Sequence, residues 1–327
     1  MGSVYVAGGR QRKLLLKEED EWNLYEAALI LRLDTGSGRV ETCVEYKTPL
    51  EARAGTNSSI LFKSGALSGG QMYACTSTEV LIYSIPQFRR IGYISLPCFN
   101  DLHHVVPLSD GAIAAANTGL DMVVKFSLEG RVISEWSVLG ETPWSRFAKS
   151  TDYRKVQSTK PHKSHPNFIF ELEGHIWVTR FHQKDAICLD DPSRRIDIGA
   201  QKPHDGVPYG EHVYFTTVDG KLVIVGRKCL RVLDVIDLQQ IDDQRALLGW
   251  CRGLLPIDQQ HIWVGFTRIR KTQFRENILW VKNALRPGMS EKPTHIALYN
   301  TQEKRCLQEF DLERHGMNIV FGIFPAS

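Results

Sequence analysis

Hydrophobic and polar residues alternate with a period of two through most of the chain, in short runs broken by Gly, Asp or Asn turns. This is the pattern of half-buried antiparallel strands. A larger unit recurs on top of it: a short apolar strand, a Gly or acidic turn, a second strand rich in aromatic or β-branched residues, then a hairpin. The second strands align as QMYACTS from Gln71, AIAAANT from Ala112, HIWVTRF from His175, HVYFTTV from His212 and HIWVGFT from His261. The hairpins read EVLIYSIPQFRRIGYISL, MVVKFSLEGRVISEWSV, KLVIVGRKCLRVLDVIDL and, late in the chain, HIALYNTQEKRCLQEFDL. No long helical period occurs, and the best candidate helix is a short stretch around Phe274 to Asn283.

The two ends supply one more unit. MNIVFGIFP from Met317 reads as a first strand with no successor. VYVAGG from Val4, followed by AALILRLDTGSGRVETCVEY from Ala27, reads as the missing successor and its hairpin. Pairing the two closes a ring and leaves no open sheet edge. Five internal units and the shared one make six blades. The expected fold is all-β: one six-bladed β-propeller domain over residues 1–327, closed by pairing N-terminal strands with the C-terminal strand. Upper-face insertions are expected at about 8–26, 141–164 and 268–293. In this arrangement the chain resembles the six-bladed β-propellers of the broad NHL-repeat and gluconolactonase-like group, over nearly its whole length. That resemblance implies a fold shared by lactonases, lyases and non-enzymatic interaction platforms. Some of those hold a metal near the central axis with carboxylate and Asn ligands.

Strand order places the candidate chemistry. The innermost strand of a blade starts at one face and the second strand returns to it, so strand starts and the loops between blades share that upper face. The residues expected there are Asn57 in blade one, His103 and His104 in blade two, His165 and Asn167 in blade three, and His204 and Asp205 in blade four. Arg252 opens blade five, and His315 and Asn318 open blade six. The ends of the second strands add Asn117, Arg180, His182, Thr217 and Arg268. Six strands converging on an axis bring these side chains together despite their sequence separation. Neighbours on a strand face opposite ways, so one of His103 and His104 faces the axis, and the alignment selects His104. Three imidazoles, His104, His165 and His204, would suit a divalent transition metal such as zinc, iron or manganese. Without metal, His104 or His204 would act as general base while Arg252 or Arg180 holds an anionic group. His175, His212 and His261 recur in register and read as scaffold.

Composition narrows the choices. With 43% hydrophobic and 24% charged residues the chain is an ordinary globular protein. Its net charge of +3 is too small to support nucleic-acid binding by bulk electrostatics. No apolar run is long enough to span a membrane, and the first residues carry no signal-peptide pattern. Seven singly scattered cysteines read as reduced thiols of a cytoplasmic protein. Basic residues and aromatics crowd the two later insertions, among them Arg146, Trp144, Phe147, Arg268, Arg275, Phe274 and Trp280, while Glu18 to Glu21 form an acidic run in the first. Such a rim would draw in a small anion. The reading is a metal-dependent hydrolase or lyase acting on a small anionic or carbohydrate-like substrate at the upper axial pocket. The alternatives are an iron oxygenase with histidine ligands, and a non-catalytic propeller binding a protein partner through its upper loops.

Overall fold

The computed structural model describes residues 2–13, 24–241, 246–269 and 290–326. Among these residues, six four-stranded antiparallel sheets account for almost all the strands, and they succeed one another around the chain as the blades of a propeller. Blade one comprises Ala66–Ser68, Gln71–Cys75, Val80–Ser84 and Arg89–Ile94. Blade two runs Leu102–Pro107, Ile113–Asn117, Met122–Phe126 and Val132–Ser137. Blade three is Pro166–Leu172, His175–Arg180, Asp185–Cys188 and Arg195–Asp197. Blade four is Val207–Tyr209, His212–Thr216, Lys221–Gly226 and Val232–Asp237. Blade five is Trp250–Pro256, His261–Thr267, His295–Asn300 and Arg305–Asp311. In blade six the last strand, Ile319–Ala326, is innermost and pairs with Ser3–Gln11, followed by Tyr25–Asp34 and Val40–Tyr46.

Burial follows strand position. Second strands such as Ile113–Asn117 are buried throughout, whereas outermost strands such as Arg89–Ile94 and Val132–Ser137 are half exposed. Apolar side chains on both faces of the inner strands therefore pack between neighbouring blades, giving one core cluster per blade junction in place of a single central core. Trp177, between blades three and four, and Trp263, between blades five and six, are among the largest fully buried side chains. Near the axis the backbones come very close. A Cβ on Gly8 would lie 1.8 Å from the Ile319 carbonyl oxygen, so only glycine fits there.

The segment between blades two and three folds back over blade two. Trp144, Phe147, Tyr153 and Val156 pack on Leu120 and Met122. The candidate helix at 274–283, the acidic run at 18–21 and most of the basic residues of the third insertion lie outside the described residues. A two-stranded parallel pair, Ala246–Leu247 with Ser290–Glu291, flanks that insertion. Among the described residues no helix is long and apolar enough to cross a membrane.

Candidate active site at the upper end of the axis

The innermost strands share a register break at the same level. Leu102 pairs with Asn117 but His104 pairs with Ala116, leaving His103 extra. Similar breaks fall at Asn167 in blade three, at Arg252 and Gly253 in blade five, and at Phe321 in blade six. A β-bulge rotates the side chains that precede and follow it, which re-aims residues that strict alternation would bury. The consequence is a cluster around His103. Its ring centroid lies 4.7 Å from that of His165, 6.3 Å from His204 and 6.0 Å from Phe321. The Arg252 guanidinium lies over Phe321 at 4.4 Å, within cation–π range.

His165 is held by a carboxylate. Asp121 accepts the backbone N–H groups of Lys163 at 2.8 Å, Ser164 at 3.0 Å and His165 at 2.8 Å, and the Arg146 guanidinium at 2.7 Å. These bonds hold His165 at a φ of 61°, a left-handed conformation that a non-glycine residue adopts only when its surroundings enforce it. Burial pushes the Asp121 carboxyl up, but Arg146 and the three N–H groups outweigh it and keep the group ionised below its ordinary range. The His165 ring meets His162, Nδ1 to Nδ1 at 2.9 Å, so one ring donates and the other accepts. Exposed His182 lies at the rim, 6.2 Å from His165 between ring centroids.

His103 Nδ1 has two partners of opposite kind, the Asp101 carbonyl oxygen at 2.9 Å, which accepts, and the Lys63 ammonium, which donates. The Lys63 ammonium stands 3.3 Å from the same Nδ1 and pairs with the Asp101 carboxylate. Burial raises the Asp101 pKa, while Lys63, His162 and His165 together bring it below the usual range. His204 is the outlier of the group. It is 4% exposed, yet neither ring nitrogen has a hydrogen-bond partner, and Asp205 Oδ1 is 3.8 Å away, beyond hydrogen-bond reach. Burial depresses the pKa of His103, His162, His165 and His204, with the positive charges of Lys63 and Arg252 adding to the effect on His103 and His204. Asp205 opposes the shift at His204, and Asp101 and Asp121 oppose it at His162, but burial prevails and the net direction favours the neutral ring.

Just below lies a belt of polar groups that join blades. His104, expected at the axis, is turned into the junction instead: Nε2–H donates to the Gly65 carbonyl at 3.1 Å, and Nδ1 accepts the Ile169 N–H at 3.1 Å. The ring stacks on Phe168, and burial lowers its pKa to about 3. Both nitrogens being used, His104 can be neither metal ligand nor base, and the bulge at His103 is the reason that the alternation misled. Asp205 accepts the Thr216 hydroxyl and, at 3.1 Å, the N–H of Gly253, whose φ of 85° requires glycine. Asn167 donates to the Pro203 carbonyl at 3.0 Å.

Other expected site residues serve the scaffold. Asn117 receives the Asn100 N–H and donates to the Cys98 carbonyl, at 2.9 and 2.7 Å. Arg180 makes a two-pronged pair with Asp185, at 2.8 and 2.6 Å, and donates to the Val138 carbonyl. It is therefore bound within blade three and to blade two. Arg268 pairs with Glu313 at 3.0 Å. Asn57 is exposed on a turn, and His315 is exposed at the end of the short 3-10 helix Glu313–His315. Of the expected residues, His165, His204, Arg252 and His182 come together. His103, expected at the upper face but set aside in favour of His104, joins them with His162, and Lys63, Asp101 and Phe321, which strand position did not single out, complete the cluster. A cavity of about 60 Å³ shares Asp101 with it and is lined by Ser58, Thr76, Ser77 and Arg53, whose buried Nε has no hydrogen-bond partner.

The axial rings do not bring three ligand atoms within the 4.8 Å that marks a possible metal group among the described residues. Two nitrogens bound to one zinc can be no more than about 4.2 Å apart. A metal at this position would need the rings to draw together.

No family profile matches the sequence, and no curated protein matches it. Among solved structures the chain is similar to a Bacteroides caccae protein of unknown function, with a TM-score of 0.62 and 14% identity over 99% of this chain and 98% of that one. Two structures of virginiamycin B lyase from Staphylococcus aureus also align, each over 72% of this chain and 69% of that one. A catalytically inactive variant with quinupristin has a TM-score of 0.46 and 14% identity. The selenomethionine-substituted protein has a TM-score of 0.45 and 15% identity. What the sheet order establishes is the fold, a six-bladed β-propeller, and the similarity to the Bacteroides caccae protein extends over the whole of it.

Proposed function

We propose that the upper end of the axis is the active site of an enzyme that acts on a small anionic compound by hydrolysis or elimination. His204 and His103 handle the proton, and Arg252 and Lys63 hold the anionic group. One observation carries the reading: His204 is almost fully buried with both ring nitrogens unpartnered. Leaving a buried polar group unpaired costs about 1–3 kcal/mol, so such groups mark sites kept for a ligand or for chemistry.

The depressed pKa of these rings supports the same role. Neutral imidazoles present lone pairs, and the His103 ring is anchored at Nδ1 by the Asp101 carbonyl and Lys63. An anion seated beside them favours the protonated form and moves the ring pKa back toward the neutral range, where a general base works best. Substrate binding and basicity are then coupled. The ring takes a proton from water, or from the carbon next to a carboxylate, and returns it to the leaving group.

The test is a panel of small carboxylates, phosphates, sugar acids and lactones, assayed for binding by calorimetry and for turnover. The expected result is a compound turned over by the wild-type protein and about 10²–10⁴-fold more slowly by His204→Ala. Binding and turnover that do not distinguish wild type from His204→Ala would overturn the proposal and favour a protein-binding platform. Turnover that appears only with added zinc, iron or manganese would replace metal-free acid–base chemistry with metal-assisted chemistry.

A further inference from the structure

Three blades begin their second strand with histidine: His175, His212 and His261. The register makes the three positions comparable. His261 lies opposite Asn300, with Leu298 two residues along opposite Trp263. His212 lies opposite Gly226, with Ile224 opposite Tyr214. In blade three, Trp177 lies opposite Cys188, and continuing that pairing sets Asp190 opposite His175. Blade three alone therefore replaces Ile or Leu by a thiol, and Gly or Asn by a carboxylate, at the two places a histidine at this position can reach across the strands.

The three side chains converge. One ligand atom each from His175, Cys188 and Asp190 lie within 4.8 Å of one another, the arrangement that the axial histidines lack. His175 Nδ1 is 3.4 Å from Asp190 Oδ2. Cys188 is fully buried beneath, while the imidazole and carboxylate are 41% and 46% exposed. Strand direction puts this group at the lower end of blade three, because the second strand runs upward from His175 to Arg180, which pairs with Pro166 at the top.

The geometry points to a second site on the molecule: His175, Cys188 and Asp190 bind a zinc-type divalent ion, with water completing the coordination. An imidazole, a thiolate and a carboxylate together suit a borderline-soft ion and disfavour magnesium or calcium, which take oxygen ligands. Zinc bonds of about 2.0–2.3 Å require ligand atoms no farther apart than about 4.4 Å, and atoms that lie within 4.8 Å of one another need at most a few tenths of an ångström of movement to meet this. The exposed His175 and Asp190 side chains supply that movement. On binding, the thiol proton goes to solvent, so affinity rises with pH.

The experiment titrates chelator-treated protein with Zn²⁺ by calorimetry and with Co²⁺ by absorption spectroscopy. The expected result is stoichiometric zinc, bound more than about 100-fold more weakly by His175→Ala and by Asp190→Asn, since even residues behind a ligand contribute 10–100-fold. Cobalt should give a near-ultraviolet thiolate charge-transfer band that Cys188→Ser abolishes. His212→Ala, His261→Ala and His204→Ala should bind zinc as wild type does. Because His175 and Asp190 are partly exposed, their variants keep the fold even where Cys188→Ser does not. Wild-type protein that binds no zinc, variants at 175 and 190 that bind normally, or a charge-transfer band that survives Cys188→Ser would each overturn the site.

Discussion

His204 at the upper end of the axis differs from the belt of His104 and Asp205 beside it in its hydrogen bonding. Burial does not separate the two layers, since His104 is 1% exposed and His204 4%. Hydrogen bonding does. Both nitrogens of His104 are matched to backbone groups of neighbouring blades, and Asp205 gathers donors from blades four and five. His204, one residue before Asp205, has no partner at either nitrogen. A matched buried polar group reads as a rivet between blades, and an unmatched one as a site in waiting. The comparison therefore makes opposite claims about neighbouring residues, and each can be broken.

The largest effect belongs to Asp205. Asp205→Ala strands the Gly253 N–H and the Thr216 hydroxyl, both buried, and removes two bonds to a charged acceptor. At about 1.5–3 kcal/mol for each such bond, the expected loss is about 3–6 kcal/mol, read as a lower urea midpoint. His104→Ala comes next, at about 2–5 kcal/mol, because it orphans the Gly65 carbonyl and the Ile169 N–H and removes the ring stacked on Phe168. A loss below about 1 kcal/mol in both variants would mean that the belt does not hold the blades together.

How the sequence foretold one layer and missed the other is a matter of register. The blades were legible because period-two alternation and the recurring second strands are properties of the sequence alone. So was the convergence of His165, His204 and Arg252, which needs only strand order. The choice between His103 and His104 was not legible. It depends on a bulge that inserts one residue into the pairing, and no local composition announces it. Lys63 and Asp101 were missed because they look like solvated residues beside strands, and Phe321 because it looks like core. Arg180 and Asn117 were assigned to the site on strand position alone, before Asp185, Asn100 and Cys98 could be seen to occupy them.

Acid sharpens the comparison further. Folded His104 has a pKa of about 3, below the ordinary value of about 6.5 that it regains on unfolding. Between those values the unfolded chain binds a proton that the folded chain refuses, so stability is full above pH 6.5 and falls as the pH drops toward 3. The slope is about 1.4 kcal/mol per pH unit for each such ring. His103, His165 and His204 shift in the same direction and add to it. Urea midpoints between about pH 7 and about pH 5.5, where nearly all carboxylates stay ionised, isolate the histidines. His104→Gln is expected to remove one proton's worth of slope, and an unchanged slope would mean that the buried ring is not the titrating group.

The smallest effect has the opposite sign and discriminates best. His204→Phe replaces a ring with two unpartnered nitrogens by an apolar ring facing Phe321, whose centroid is 5.6 Å away. Removing a buried unsatisfied group is neutral or favourable, so the expected change is a gain of up to about 1 kcal/mol, together with loss of turnover. His204→Leu guards against the added bulk of phenylalanine, because a leucine needs no extra room around the axis. Stability retained in both variants with turnover lost places His204 among residues kept for function at a cost to the fold. A loss greater than about 1 kcal/mol in both would put His204 with His104, as a rivet whose partners the resting arrangement leaves slightly out of reach.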